Sequence, residues 1–324
     1  MTQPSLRNQL VTVFGGSGFI GRYVVQKLAR EGARIRVAIR RPDEGLFLKP
    51  MGSVGQIDIV QANIRMPRSV QQAVQGADVV INCVGILYER GAQKFSAVQA
   101  RGAEVIAFCA KEAGVKKLVQ ISAIGAAAES SSGYAKSKAA GEAGVRRHMP
   151  QATIIRPSVV FGPEDDFFNR FASMAALSPA LPLVDGGETK LQPVYVGDVA
   201  AAILRAVQDE ACAGQTYELG GPKVYSMKEI LQLTLAAIHK KRLLLPVPGA
   251  LLKPLAFALE LQPVFAPPIT RDQIELLKSD NVVSEGAKGL KDLGIDQPTP
   301  VEGTIDTYLF RYRRGGGKFE PRFS

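Results

Sequence analysis

The period of the apolar positions changes along this chain and divides it. Short apolar runs at residues 10–14, 35–39, 57–61, 79–84, 118–122 and 153–156, bounded by turn residues, read as strands buried on both faces. Between them the period becomes helical, at 19–30, 70–74 and roughly 97–113. In the first of these helices Phe19, Ile20, Tyr23, Val24 and Leu28 line one face up to Gly32, a natural stop. Parallel neighbours need crossover helices, so this rhythm predicts an α/β fold with a doubly wound parallel sheet. After Arg156 the pattern breaks: 161–182 and 227–268 read as helical or irregular and proline-rich, while 193–207 and 216–219 return to turn, helix and strand. The expected layout is a sheet domain over 1–160 and 192–221, and a smaller, discontinuous, α-rich C-terminal lobe over 161–191 and 222–310. Residues 311–324 are expected to form a basic, flexible tail.

The first strand runs into Gly15-Gly-Ser-Gly18-Phe-Ile-Gly21 and then directly into the first helix. Strand, glycine turn and helix in this order open a Rossmann-like dinucleotide-binding unit. The glycines allow a sharp turn and a close approach to a pyrophosphate, which sits on free N–H groups at the helix start. The spacing is Gly-x-x-Gly-x-x-Gly, and Gly15, Ser17, Gly18, Phe19, Ile20 and Gly21 form the expected phosphate loop. The second strand of NAD-binding folds usually ends in an acidic residue that holds the ribose hydroxyls. Here it ends in Arg40-Arg41, whose guanidinium groups suit a 2′-phosphate, so NADPH is favoured over NADH. Asn63, with Ile64 beside it, follows the third strand where an adenine contact would fit, and Cys83, Val84 and Gly85 end the fourth at the cofactor's edge.

Composition narrows the partners. A hydrophobic content of 46% with 22% charged residues excludes disorder for most of the 324 residues. Two histidines argue against a histidine-rich metal site, and no metal is expected. Cys83, Cys109 and Cys212 read as reduced core residues in a cytosol-like compartment. The net charge of +10 points to an anionic partner, but the basic residues are scattered and no aromatic-interleaved stripe is present. A membrane surface or a protein complex therefore fits better than nucleic acid. No run approaches the roughly 20 apolar residues of a spanning helix. The leucine-rich segment 243–268, including Leu251, Leu255, Phe257 and Phe265, reads either as buried in the second lobe or as an apolar face against lipid or membrane subunits.

Candidate chemistry comes from Ser122, ending the fifth strand, and from Tyr134-Ala-Lys-Ser-Lys138, opening a helix twelve residues later. Tyr134 and Lys138, four apart, share a helix face; the ammonium stabilises a phenolate, and the serine hydroxyl orients a carbonyl.

Together, Gly15-x-x-Gly18-x-x-Gly21, Ser122 and Tyr134-x-x-x-Lys138 resemble an extended short-chain dehydrogenase/reductase. More narrowly, four segments resemble the NADPH-binding accessory subunit of respiratory complex I. They are Ile155-Arg-Pro-Ser-Val-Val-Phe-Gly162-Pro-Glu-Asp, Gln192-Pro-Val-Tyr195-Val-Gly-Asp198-Val, Ile269-Thr-Arg-Asp272 and Asp292-Leu-Gly-Ile295. The resemblance implies a structural or regulatory NADPH, with no established turnover. It also implies other complex I subunits as partners, and a peripheral position on the cytoplasmic side of a bacterial inner membrane (the matrix side in mitochondria). Residues 1–9 lack a transit peptide, which favours a bacterial relative. By the same resemblance Tyr134 and Lys138 contact the nicotinamide ribose and Pro157 lies near the nicotinamide. Gln99 and Arg101 stand where many active extended reductases carry asparagine. The alternative function is a free NADPH-dependent reductase or epimerase of a sugar nucleotide or similar carbonyl compound, with Tyr134 as general acid, Lys138 as its pKa modifier and Ser122 as carbonyl orienter. A third is an NADP(H)-sensing regulator.

Overall fold

A computed structural model of the chain describes residues 6–262, 267 and 269–316. Phe265 of the leucine-rich segment, residues 1–5 and residues 317–324 of the basic tail lie outside the described residues. The chain separates into two compact units. The first comprises Met1–Pro157, Val196–Leu219 and Glu285–Asp296; the second comprises Ser158–Tyr195, Gly220–Ser284 and Gln297–Ser324.

The first unit is built on strands β1 (Leu10–Phe14), β2 (Arg34–Ile39), β3 (Ile57–Gln61), β4 (Val79–Asn82), β5 (Lys117–Ile121) and β6 (Thr153–Pro157). With the strand Thr216–Leu219 at the edge beside β6, they form a seven-stranded, wholly parallel sheet. The chain runs outward from β1 through β2 to β3, then returns to place β4 on the other side of β1. Such a reversal opens a crevice at the carboxyl ends of the two strands flanking it. Helices α1 (Phe19–Arg30), α2 (Pro67–Val74), α3 (Arg101–Glu112) and α4 (Gly133–His148) supply the crossovers. α2, α3 and α4 pack in succession, while α1 packs against the helix Val196–Gln208. Phe14, Val80, Ile106, Leu118, Val145 and Ile154 lie in one buried cluster of this unit, so the sheet's near-continuous apolar runs are explained by cover on both faces.

The strands β4 and β5 stop short of the expected ends. The Asn82 side chain accepts from the N–H of Val84 (3.0 Å) and leads the chain out of the sheet after position 82. β5 ends at Ile121, although the Ser122 N–H still donates to the carbonyl of Ile155 (2.7 Å). The expected helix over 97–113 begins instead as one wide π turn, Ser96–Ala100, before α3.

In the second unit Phe161, Phe168, Leu181, Ile230, Leu231 and Tyr308 share a core cluster, and a smaller one joins Leu252, Ala256 and Ile274. The segment read as helical or irregular contains a strand, Leu243–Val247, paired in parallel with Ala180–Val184, and then the helix Gly249–Leu261. The helix buries Leu252 and Ala256 but leaves Leu251 (69%), Leu261 (68%), Leu255 and Phe257 exposed. Among the described residues no helix is long and apolar enough to cross a membrane.

Candidate functional site

At the end of β1, Gly15 turns with a φ of +74°, a left-handed conformation that a side chain disfavours, and its N–H bonds the carbonyl of Ala38 (3.1 Å). The N–H of Gly18 returns to the Gly15 carbonyl (3.0 Å), closing the loop. A Cβ on Gly21 would collide with that same carbonyl oxygen, so the loop folds back onto the first turn of α1 only because residue 21 is glycine. Gly18 caps α1 without a side-chain hydrogen bond, and the first turn holds no acidic residue. The positive end of the helix, with main-chain N–H groups at Phe19 and Ile20, is thus left for an external anion. Ser17 contributes its carbonyl to the Arg22 guanidinium (3.3 Å), which also lies 4.9 Å over the Phe47 ring. Across the crevice, a Cβ on Gly15 would stand 3.1 Å from the Val84 side chain and 3.3 Å from the Cys83 carbonyl carbon. The loops after β1 and β4 therefore abut.

The two arginines after β2 differ. Arg41 is paired with Glu44, whereas Arg40 is exposed and has no carboxylate partner among the described residues. Asn63 caps its own turn, its side chain accepting from the Arg65 N–H (3.1 Å). Ile64 is buried in the core against Gly102, which leaves only its main chain for a ligand.

Beyond β4, Gly85, Gln99 and Lys138 converge: a Cβ on Gly85 would lie 3.4 Å from Lys138 Nζ and 3.5 Å from Gln99 Oε1. Gln99, on the π turn, donates to the Ser137 hydroxyl (2.9 Å) and accepts from the Ile86 N–H (3.4 Å). Lys138 is buried, its ammonium 3.4 Å from the Ile121 carbonyl oxygen and 5.7 Å from the centre of the Tyr134 ring. Burial lowers the Lys138 pKa to about 8, against the upward pull of Glu142 and Cys83. Cys83 as a whole is only half-buried, but its thiol is enclosed, and that burial pushes it up to about 12 against the downward pull of Lys138. This thiol is protonated and not a nucleophile at neutral pH. Tyr134 is half-buried, edge-on to Phe95 at 5.8 Å. The Ser122 hydroxyl is fully buried with no hydrogen-bond partner among the described residues. A buried polar atom left unpaired is costly and marks a place where a ligand group or water belongs. Pro157 is buried at the end of β6, its carbonyl taken by the Ile124 N–H (3.0 Å). Arg101 opens α3, exposed.

Three residues carry parts that the sequence reading did not give them. Glu142, one turn beyond Lys138, accepts both prongs of Arg156 (2.9 and 2.7 Å), and Arg156 also reaches Glu218 at 3.4 Å. Lys138 and Glu142 continue one helical face four residues on, so the periodicity of α4 was the available signal for Glu142. For Glu218, 62 residues from Arg156 in the chain, there was none.

A glycine cradle, an uncapped helix start, a free arginine at the end of β2 and a buried lysine and serine together define a nucleotide-binding protein of the short-chain dehydrogenase type. The model of the NAD dependent epimerase/dehydratase family matches residues 11–220, and relatives extend the match to nearly the whole chain. Subunit 9 of the NADH dehydrogenase [ubiquinone] 1 alpha subcomplex, mitochondrial, from Arabidopsis thaliana is 37% identical over 97% of this chain and 81% of its own length. The same subunit of Mus musculus is 36% identical over 95% and 82%. The chain belongs to the NAD dependent epimerase/dehydratase family and, within it, to the family of these complex I subunits. Among solved structures, triphenylmethane reductase of Citrobacter sp. complexed with NADP(H) shares the fold, with a TM-score of 0.73 at 20% identity over 92% of this chain and 99% of that one.

Proposed function

We propose that this protein is an NADPH-binding accessory subunit of a membrane-bound NADH:quinone oxidoreductase, holding its nucleotide for structure and not for turnover. The observation that carries this reading is its kinship with subunit 9 proteins over nearly the whole chain. In this reading the N–H groups at Phe19 and Ile20 take the pyrophosphate, with Ser17 and Gly18 shaping the loop. Gly15 and Gly21 permit the approach. Arg40, without a carboxylate partner among the described residues, takes the 2′-phosphate; Arg41, tied to Glu44, is secondary. Asn63 and the Ile64 main chain border the adenine, and Cys83, Val84 and Gly85 line the far edge. Tyr134 and Lys138 hold the nicotinamide ribose, with Pro157 beside the nicotinamide. When bound, NADPH is a hydride donor and NADP⁺ a hydride acceptor.

The position is peripheral, on the cytoplasmic side of a bacterial inner membrane or the matrix side of a mitochondrial one. The exposed leucines of Gly249–Leu261 rest against lipid or membrane subunits. Native purification from membranes tests the assignment: the protein is expected to co-purify with NADH:quinone oxidoreductase activity and to release NADP(H) on denaturation. Recovery solely as a free, nucleotide-free species refutes it. In the purified chain, Arg40→Asp is expected to weaken NADPH about 100-fold while changing NADH by less than about 3-fold. Equal effects on the two would sink the 2′-phosphate assignment.

A second reading, a free NADPH-dependent reductase or epimerase, is favoured by one observation: the Ser122 hydroxyl, unpartnered among the described residues, follows directly on the Ile121 carbonyl that Lys138 of the Tyr134–Lys138 pair approaches. It predicts substrate-dependent NADPH oxidation that disappears in Tyr134→Phe.

A further inference from the structure

Lys138 enters the site from α4 almost completely buried, and its ammonium approaches the Ile121 carbonyl at the long distance of 3.4 Å. Such a group needs a counter-charge to stay protonated. The groups that face it are Cys83 from the β4 loop, Tyr134 on its own helix and Glu142 one turn on. The Cys83 thiol is neutral at physiological pH, which leaves Glu142 as the anion. Glu142 is itself 7% exposed and is gripped in two-pronged fashion by Arg156 at 2.9 and 2.7 Å; Arg156 is steadied in turn by Glu218, also 7% exposed. The row Lys138, Glu142, Arg156, Glu218 thus alternates in sign from α4 through β6 to the edge strand Thr216–Leu219.

We propose that Glu142 and Arg156 are positioning residues for the cofactor: Glu142 is the counter-charge that keeps Lys138 an ammonium, and Arg156 holds that carboxylate in place. The inference rests on the reading that this chain holds NADP(H) through Lys138. It assigns to Arg156 a task at the site rather than in the sheet alone, and it predicts that the pH range of cofactor retention is set two residues away from the nucleotide.

The experiment follows Lys138 directly and through its ligand. In the full chain, the side-chain resonance of Lys138, assigned by its loss in Lys138→Met, is titrated by NMR with ¹³C-labelled lysine. NADPH affinity is measured by fluorescence between pH 7 and 9.5. The wild type is expected to titrate near pH 8 and to lose NADPH affinity above that point. Glu142→Gln is expected to lower both midpoints by about one pH unit, in the range for removal of an adjacent opposite charge. Glu218→Gln, which removes a carboxylate of the same network that does not face Lys138, is expected to leave both within about 0.3 units. Arg156→Lys keeps a cation without the fork and is expected to shift both midpoints by less than Glu142→Gln does.

Should Glu142→Gln fail to fold, the triple variant Glu142→Gln, Arg156→Gln, Glu218→Gln leaves neither Arg156 nor a carboxylate of the network without its partner and is expected to give the same shift at Lys138. A folded Glu142→Gln variant, or triple variant, with wild-type midpoints overturns the proposal, as does an equal shift in Glu218→Gln. If the wild type binds no NADPH at any pH, the cofactor reading falls and the proposed role toward the nucleotide falls with it. A Lys138 resonance that still shifts in Glu142→Gln would show that this failure lies in the cofactor reading and not in the charge coupling.

Discussion

Two regions of this molecule break the ordinary rule of burial in opposite directions. Around α4 in the first unit, Lys138, Glu142, Glu218 and the Ser122 hydroxyl are polar and inside. On the helix Gly249–Leu261 in the second unit, Leu251, Leu255, Phe257 and Leu261 are apolar and outside. The first region satisfies nearly every group internally, by Arg156 forks and main-chain carbonyls, and leaves one hydroxyl over. The second leaves a row of large side chains in water although the same helix buries Leu252 and Ala256. Buried polarity with a remainder points to a small polar ligand, whereas exposed apolar surface on one element points to a macromolecular or lipid neighbour. The two features answer different questions about one protein, what it holds and what it leans on.

The comparison can be broken most forcefully at the cradle. Gly21→Ala sets a methyl group against the Gly15 carbonyl, backbone against backbone, and neither can move aside cheaply. A loss of about 3 kcal/mol in denaturant unfolding and of detectable NADPH binding is expected; a variant that binds normally would show the loop to be no phosphate cradle.

Next in size is Lys138. Its pKa is lowered in the folded state to about 8 from an unfolded value of 10.5, so between those values the unfolded chain binds more protons and stability rises with pH. Below pH 8 the ligand-free fold carries the full burden of the buried ammonium, about 3 kcal/mol. Lys138→Met is therefore expected to be more stable than the wild type at pH 7, with the gap closing toward pH 10.5, as read by thermal unfolding at several pH values. A constant gap would mean that the ammonium is solvated.

Smaller still is Ser122→Ala. A hydroxyl without a partner contributes nothing to the ligand-free fold, so the variant is expected to gain about 1 kcal/mol in unfolding while losing affinity for whatever bonds that oxygen. A destabilised variant would reveal an internal partner. The smallest effect sharpens the other side: Leu251→Gln with Leu255→Gln should change unfolding by less than about 0.5 kcal/mol, because both side chains are exposed, yet lower flotation with anionic vesicles or recovery with membranes several-fold. Unchanged flotation would remove the leucine row from the membrane contact.

The strands and first helix were legible because each carries its signal locally: apolar runs, a 3.6 period, glycine stops. What was not legible depends on distance along the chain. Arg156 meets Glu142 across 14 residues and Glu218 across 62, and no local pattern encodes either contact. The strand Leu243–Val247 was hidden by Pro246 and Pro248, since proline removes a ladder donor; its partner strand Ala180–Val184 supplies the order that the local sequence withholds. Exposure of the leucine row could not be read either, because the same residues suit a buried helix. Of the site, the glycine loop was visible as spacing, but the difference between Arg40 and Arg41 lies in Glu44 and needed coordinates.

The π turn at Ser96–Ala100 has a consequence for the chain's history. A π turn closes its hydrogen bonds over five residues where an α turn uses four, so it amounts to one residue more than a regular helix needs. Loss of a single codon here would restore an unbroken helix and turn every preceding position by about 100°, swinging Gln99 away from Ser137. The loop from Gly85 to Phe95 would have to follow. The Gln99–Ser137 contact therefore depends on the length of this short stretch as much as on the identity of its residues.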